Sequence, residues 1–235
     1  NYSFHLKSSI DRALSSTHTV AALIKQGNGV VKNFEGVASG ILPFYPGVVE
    51  LAIAPHGIIQ DVAPLKGNEK ALGLNLFEAE NQKQEAFLAK QTQQLTLAGP
   101  LDLVQGGIGL VGRLPIFFDE RKSDAFWGFA LSVIQISQLL DKQKIASLEE
   151  TFAYEIWRIH PDTKEKHVIL KSSNSTLKDP IHYNFEVPNG TWTMSLEPHV
   201  GWGEGGFVLL LREMIALVFA LLIASMARLL IELRV

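Results

Sequence analysis

Apolar and polar positions alternate along this chain with two different periods, and the period changes mark its elements. From residue 3 to residue 26, Ile10, Ala13, Leu14, Thr17, Ala21 and Ile24 recur at helical spacing until Gly27-Asn28-Gly29 stops the pattern, which predicts one long helix. A second helical stretch, 30–42, ends at Pro43. Beyond Pro46 the texture becomes strand-like: 48–54, the turn Pro55-His56-Gly57, then 58–62 read as a β-hairpin. Residues 79–94 are charged and amide-rich with Ala86, Phe87 and Leu88 in the middle, the pattern of a surface helix. Strands are predicted at 95–103, 109–118 and 126–134, a linking helix at 137–150, and four more strands at 152–159, 167–171, 183–187 and 191–196, the last two joined by the turn Pro188-Asn189-Gly190. This order fits an α+β fold of two consecutive modules with antiparallel sheets.

The end of the chain is a different kind of segment. From Phe207 onward, 23 of 29 residues are hydrophobic, and 214–227 carries no charge. The apolar residues run round all sides with no polar stripe, so residues 207–231 are expected to cross a lipid bilayer as a tilted helix, with Arg212 and Arg228 snorkelling. Ala216, Ala220 and Ala224 place small side chains on one face of it, a stripe suited to packing against a twin helix in a homodimer. Residues 232–235 would begin a cytoplasmic segment, and the body would lie outside the cytoplasm. The chain opens on Asn1 rather than Met, and a signal or first span is expected ahead of it.

Composition then excludes several functions. The chain has 235 residues, no cysteine and a net charge of −3. Without cysteine there is no disulfide framework, zinc ribbon, iron–sulfur cluster or thiol nucleophile. A weakly acidic body offers no electrostatic footprint for nucleic acid. Gly107-Ile108-Gly109-Leu110-Val111-Gly112 spells a dinucleotide fingerprint, but Pro115 and the strand-forming Ile116-Phe117-Phe118 follow where a helix is required, so it reads as a hairpin turn. The histidines lack zinc spacing, no serine sits in a nucleophile elbow, and no cofactor is expected. Arg113 stands out inside the apolar strand 109–118, where alternation puts it on one face with Pro115 and Phe117. A guanidinium there requires a partner, either an anionic ligand or an acidic neighbour such as Asp61, Glu69 or Asp102.

Three stretches carry a family resemblance: Leu51-Ala52-Ile53-Ala54-Pro55-His56-Gly57 through Pro64-Leu65-Lys66-Gly67-Asn68-Glu69 and Leu72-Gly73-Leu74-Asn75-Leu76; Gly99-Pro100-Leu101-Asp102-Leu103-Val104-Gln105-Gly106-Gly107 through Gly112-Arg113-Leu114-Pro115-Ile116-Phe117; and Phe126-Trp127-Gly128-Phe129. In this order they resemble the CHASE domain, the extracytoplasmic sensory module of membrane histidine kinases and diguanylate cyclases that also occurs in plant cytokinin receptors. The resemblance runs from about Val30 to Trp202. It implies N-terminal stalk helices (1–42), a membrane-distal PAS-like module that holds a small-molecule ligand (43–136), a linking helix with a membrane-proximal PAS-like module (137–206), and a span leading to a cytoplasmic kinase or cyclase. The setting it implies is a bacterial inner membrane, with the body in the periplasm and no catalysis in this chain.

In cytokinin receptors an aspartate hydrogen-bonds the adenine-type ligand, and the matching position here is Asn75. An amide both donates and accepts, so a different small molecule is expected. The ligand-contacting leucine of the family falls at Leu97. Asn75, Arg113 and Gln105 are thus the polar candidates for the pocket, and Leu97, Leu103 and Phe117 the apolar ones. Two readings from other classes remain: a membrane-anchored extracytoplasmic enzyme, and an oligomerisation module without ligand. The presence and lining of a pocket in the first sheet separate all three.

Overall fold

The computed structural model describes residues 2–103, 106–119, 125–139, 142–160, 164–172, 176–202 and 204–232. The predicted stalk is one 25-residue helix, α1 (Tyr2–Gln26), whose buried side chains Leu6, Ile10, Ala13, Leu14, Thr17, Val20, Ala21 and Ile24 recur every three or four residues along one face. The second helix is shorter than its sequence pattern. Asn33 takes a left-handed backbone (φ 52°), so α2 begins only at Phe34, runs to Ile41, and passes into a single 3₁₀ turn, Leu42–Phe44, where Pro43 ends it.

Five strands then form an antiparallel sheet: β1 (Val48–Pro55), β2 (Asp61–Ala63), β3 (Thr96–Asp102), β4 (Ile108–Phe117) and β5 (Phe126–Gln135), in the order β2-β1-β5-β4-β3. Helix α3 (Lys83–Thr92) sits between β2 and β3 in sequence and covers β3 and β4. The short α4 (Ile136–Leu139) and α5 (Lys142–Thr151) link to a second antiparallel sheet of β6 (Phe152–Ile159), β7 (Lys166–Lys171), β8 (Ile181–Val187) and β9 (Gly190–Pro198), ordered β7-β6-β9-β8. The last element is the 29-residue helix α6 (Glu204–Glu232). Among the described residues no helix is long and apolar enough to cross a membrane.

Strand alternation sends the first sheet's side chains to two separate cores. The inner face, with Leu51, Ile53, Leu97, Leu110 and Ile134, packs under α1, and that core continues without interruption into Tyr154, Ile156, Trp192 and Met194 of the second sheet. The outer face, with Ala52, Ala98, Val111, Leu131 and Val133, packs under α3 and the 58–82 loop. The stalk helix is thereby the common backing of both sheets. It contacts the first sheet closely: the Ser16 hydroxyl lies 2.9 Å from that of Ser132, and both are fully buried.

The glycine-rich segment of β4 is explained by this packing. Gly106 and Gly107 take left-handed backbone in the turn between β3 and β4, and the Leu103 and Gly107 main chains close it at 2.9 Å. Gly112 has another role, because a Cβ there would stand 2.4 Å from Cδ2 of Leu14 in α1. Replacing Gly112 by Val should therefore lift the stalk off the sheet and lower the unfolding free energy by about 2 kcal/mol or more in urea titration.

Candidate functional site

The 58–82 loop is built to stand over the outer face of the first sheet. It is held by main-chain bonds from Ile59 to Leu74 O (3.0 Å), Gly73 to Ile59 O (2.8 Å) and Leu76 to Gly57 O (2.8 Å), with Ile58 and Asn75 paired as an isolated bridge. Between this loop, the start of α3 and the sheet lies a cavity of about 90 Å³. Its wall is apolar on the sheet and loop sides, with Ile59, Leu74, Leu76, Leu131 and Val133 among the lining side chains. Four polar residues also line it: Glu50, Asn81, Gln82 and Asp102. A concave, mostly apolar site with a few placed polar groups is the general form of a small-molecule pocket.

Beneath Gln82 is a buried charge cluster. Arg113 is 0% exposed, and its Nη2 donates to Gln82 Oε1 at 2.5 Å. Burial pushes the Arg113 guanidinium down to about 10, while the negative charge of Glu85 acts in the opposite direction, so it stays protonated at neutral pH. Glu85 is itself buried and pairs with Arg158 of β6, whose Nη2 lies 3.5 Å from Oε1. Among the described residues, Nε and Nη1 of Arg113 and Nε of Arg158 have no acceptor. The Thr96 hydroxyl, opposite Arg113 in the β3–β4 ladder, donates to the Glu85 carbonyl at 3.1 Å and fixes α3 against the sheet.

The residues singled out from the sequence are distributed unequally around this cavity. Leu103 lines it. Arg113 lies one residue behind it, through Gln82. The acidic partners expected for Arg113 are corrected here, since Asp61, Glu69 and Asp102 give way to the Gln82 amide, with Glu85 acting on Arg113 through its charge. The reason is that α3 lies over β4, whereas Glu69 turns to its own loop and accepts from Gly67 N at 3.0 Å. Asn75 stands between two lining residues, and its Oδ1 accepts from Phe77 N at 3.1 Å, so the amide shapes the loop. Phe117 joins Phe77, Phe126 and Phe129 in an aromatic cluster outside the lining, with the Lys90 ammonium 4.8 Å from the Phe126 ring. Leu97 is on the opposite face, in the core under α1, because the register puts Thr96 and not Leu97 opposite Arg113. Gln105 lies outside the described residues. Ala216, Ala220 and Ala224 are all exposed on α6.

Sequence reasoning missed Glu50, Asn81, Gln82, Glu85 and Arg158. Glu50 carried the same signal as Arg113, a charge inside the apolar run 48–54. Glu85 sits beside Ala86 and one turn before Ala89 on the buried side of α3, a polar residue on an otherwise core-facing stripe.

A second cavity, also about 90 Å³, lies between α1, α5 and the second sheet and is bounded by His5, Leu6, Leu148, Tyr154 and Met194. Among the described residues its lining contains no acidic, lysine or arginine side chain, and the Tyr154 hydroxyl is already spent on Glu149 at 3.2 Å. The first cavity offers far more recognition chemistry.

Glu85→Gln should leave Arg158 without its carboxylate partner, remove the negative charge that favours protonated Arg113, and cost about 3 kcal/mol of stability in chemical denaturation. Arg113→Met added to it should recover part of that loss.

Comparisons with known proteins bear on the family and the fold. The family model described as CHASE domain matches residues 44–168. A comparison with curated proteins returns no match. Among solved structures, an extracellular ligand binding receptor from Desulfohalobium retbaense DSM5692 has a similar fold, with a TM-score of 0.60 and 10% identity, over 83% of this chain and 38% of that one. The chain therefore spans well under half the length of that receptor.

Proposed function

Because this chain belongs to the CHASE domain family, whose model matches more than half of its 235 residues, we propose that it is the extracytoplasmic sensor of a transmembrane receptor and holds a small-molecule ligand in the cavity of the first sheet. The observation that carries this reading is the cavity itself: an apolar wall with Glu50, Asn81, Gln82 and Asp102 as the polar groups that orient a ligand. The two sheets are read as PAS-like modules, membrane-distal (43–136) and membrane-proximal (137–206), backed by the stalk. Leu103 contacts the ligand directly, Arg113 acts through Gln82, and Asn75, Phe117 and Leu97 position the loop, the aromatic cluster and the sheet. The fold's likeness to a ligand-binding receptor supports the same reading. The chain is read as non-catalytic, as the sensory role of the family implies.

Residues 207–231 serve as the membrane span in this proposal. Support comes from α6, where Leu210, Met214, Leu217, Phe219, Leu221 and Ile223 are exposed on all sides of the helix, a surface that water would not favour. Ala216, Ala220 and Ala224 provide the face for a homodimer partner, and a histidine kinase or diguanylate cyclase on the cytoplasmic side of a bacterial inner membrane receives the signal. Ligand binding shifts the stalk and linking helices relative to each other.

Thermal-shift screening of small molecules on the full chain in detergent, repeated with Leu103→Trp, tests the site. Ligands that raise the melting temperature should lose their effect when the indole fills the cavity. Retention of the effect by a folded Leu103→Trp protein would move the site elsewhere.

A further inference from the structure

The core under the stalk is incompletely filled where it reaches the second sheet. The cavity of about 90 Å³ between α1, α5 and that sheet adjoins a smaller void of about 10 Å³, and the two share Leu6, Leu139 and Ile156. The smaller void reaches Leu110 of β4 and Trp192 of β9, so the unfilled space runs toward the junction of the modules. Protein interiors are normally packed to the density of organic crystals, and apolar walls that face empty space forgo contact partners. An apolar molecule that enters supplies them.

The walls of the larger cavity are of two kinds. Its floor is formed by Leu6, Leu139, Leu148, Ile156 and Met194, all buried and all apolar. A charged group pressed against these side chains would lose its hydration and regain nothing from them. The other wall is the first two turns of the stalk, where Tyr2, His5 and Ser9 follow at spacings of three and four and so share one face of α1. Tyr2 and His5 are exposed and Ser9 is half-buried, which makes this polar stripe the mouth. The hydroxyls of Tyr2 and Ser9 can each donate and accept, the pattern that a hydroxyl on a ligand complements.

We infer that this cavity is a second ligand site, separate from the one in the first sheet, for a neutral molecule with a compact apolar body no larger than about a benzene ring and a single hydroxyl. The body rests on Leu148, Ile156 and Met194, and the hydroxyl meets the stripe of Tyr2, His5 and Ser9. The walls come from the stalk, the two linking helices and the second sheet, so an occupant holds those elements at the spacing they have here.

The test is a nuclear magnetic resonance titration of the full chain in detergent, labelled with carbon-13 at the methionine methyl groups. The chain has three methionines: Met194 lines the cavity, whereas Met214 and Met226 lie on α6 and report any partition of the probe into detergent. Benzyl alcohol should shift the Met194 methyl signal, assigned by its loss in Met194→Leu, and the shift should saturate. Toluene, which lacks the hydroxyl, should bind several-fold more weakly, and benzoate and benzylammonium at least about tenfold more weakly. Ser9→Trp, which fills the cavity from the stalk side, should abolish the saturable shift, and the smaller Ser9→Leu should weaken it several-fold if Ser9→Trp fails to fold. Leu103→Trp fills the first cavity and should leave the shift as it is. Absence of a saturable Met194 shift up to about 20 mM benzyl alcohol overturns the inference, as does its loss in folded Leu103→Trp or its full retention in folded Ser9→Trp. Binding of toluene or of either charged probe as tight as that of benzyl alcohol overturns the assigned chemistry.

Discussion

The carboxylate of Glu85 pairs with buried Arg158 at 3.5 Å and acts by its charge on buried Arg113, and the outer half of the first module depends on that position. Arg113 comes from the middle of β4 and Arg158 from β6 in the other sheet, so a single side chain of α3 pairs with a cation of the second module and favours, by its charge, the protonated form of one in the first. Removing such charges from water costs several kcal/mol each, which the pairing must offset, and imperfect offsetting is visible in the donors left without acceptors. The helix that carries Glu85 has few apolar contacts of its own, since Phe87 and Leu88 are exposed and only Ala86 and Ala89 are buried apolar residues. Its attachment is thus largely electrostatic and polar.

This places the candidate ligand site beside the joint between modules. Glu85 bonds to Arg158, and at the edge of the same sheet Leu97 N donates to Asn189 Oδ1 at 2.7 Å, in the turn between β8 and β9. The inner core under α1 is continuous from one sheet to the other, whereas the outer core under α3 belongs to the first sheet alone. A change at the outer face that moves α3 by a fraction of a turn acts on Arg158 directly, and acts on the stalk only through the sheet. The bond network therefore offers a short route from the cavity to the second module through α3.

Much of the fold was legible because hydrophobic period is a local property. The helical spacing of α1 and the alternation of β4 and β5 gave those elements nearly to their ends, and β6 matched its predicted bounds. The α2 stretch began late because Asn33 adopts a left-handed backbone, which no apolar pattern records. The site was legible only where alternation decides it. Arg113 on an apolar strand and Leu103 at a strand end were found this way, and Glu50 carried the same mark. Leu97 was assigned by resemblance, and the β3–β4 register turned it to the other core. Gln82, Glu85 and Arg158 were out of reach, because their partnership joins residues 31 and 73 positions apart, and spacing along the chain carries no trace of it. The Gly107–Gly112 run shows the converse: a motif string present in full, with glycines serving a turn and a close helix approach.

The shared carboxylate is tested most directly by a double-mutant cycle on Arg113→Met and Arg158→Met, followed by urea unfolding. Either substitution alone leaves Glu85 with one guanidinium, so each should be mild. Together they leave a buried carboxylate with none, and the double variant should cost at least about 1 kcal/mol more than the sum of the singles. Additivity to within about 0.5 kcal/mol would contradict the claim that Glu85 holds both modules at once.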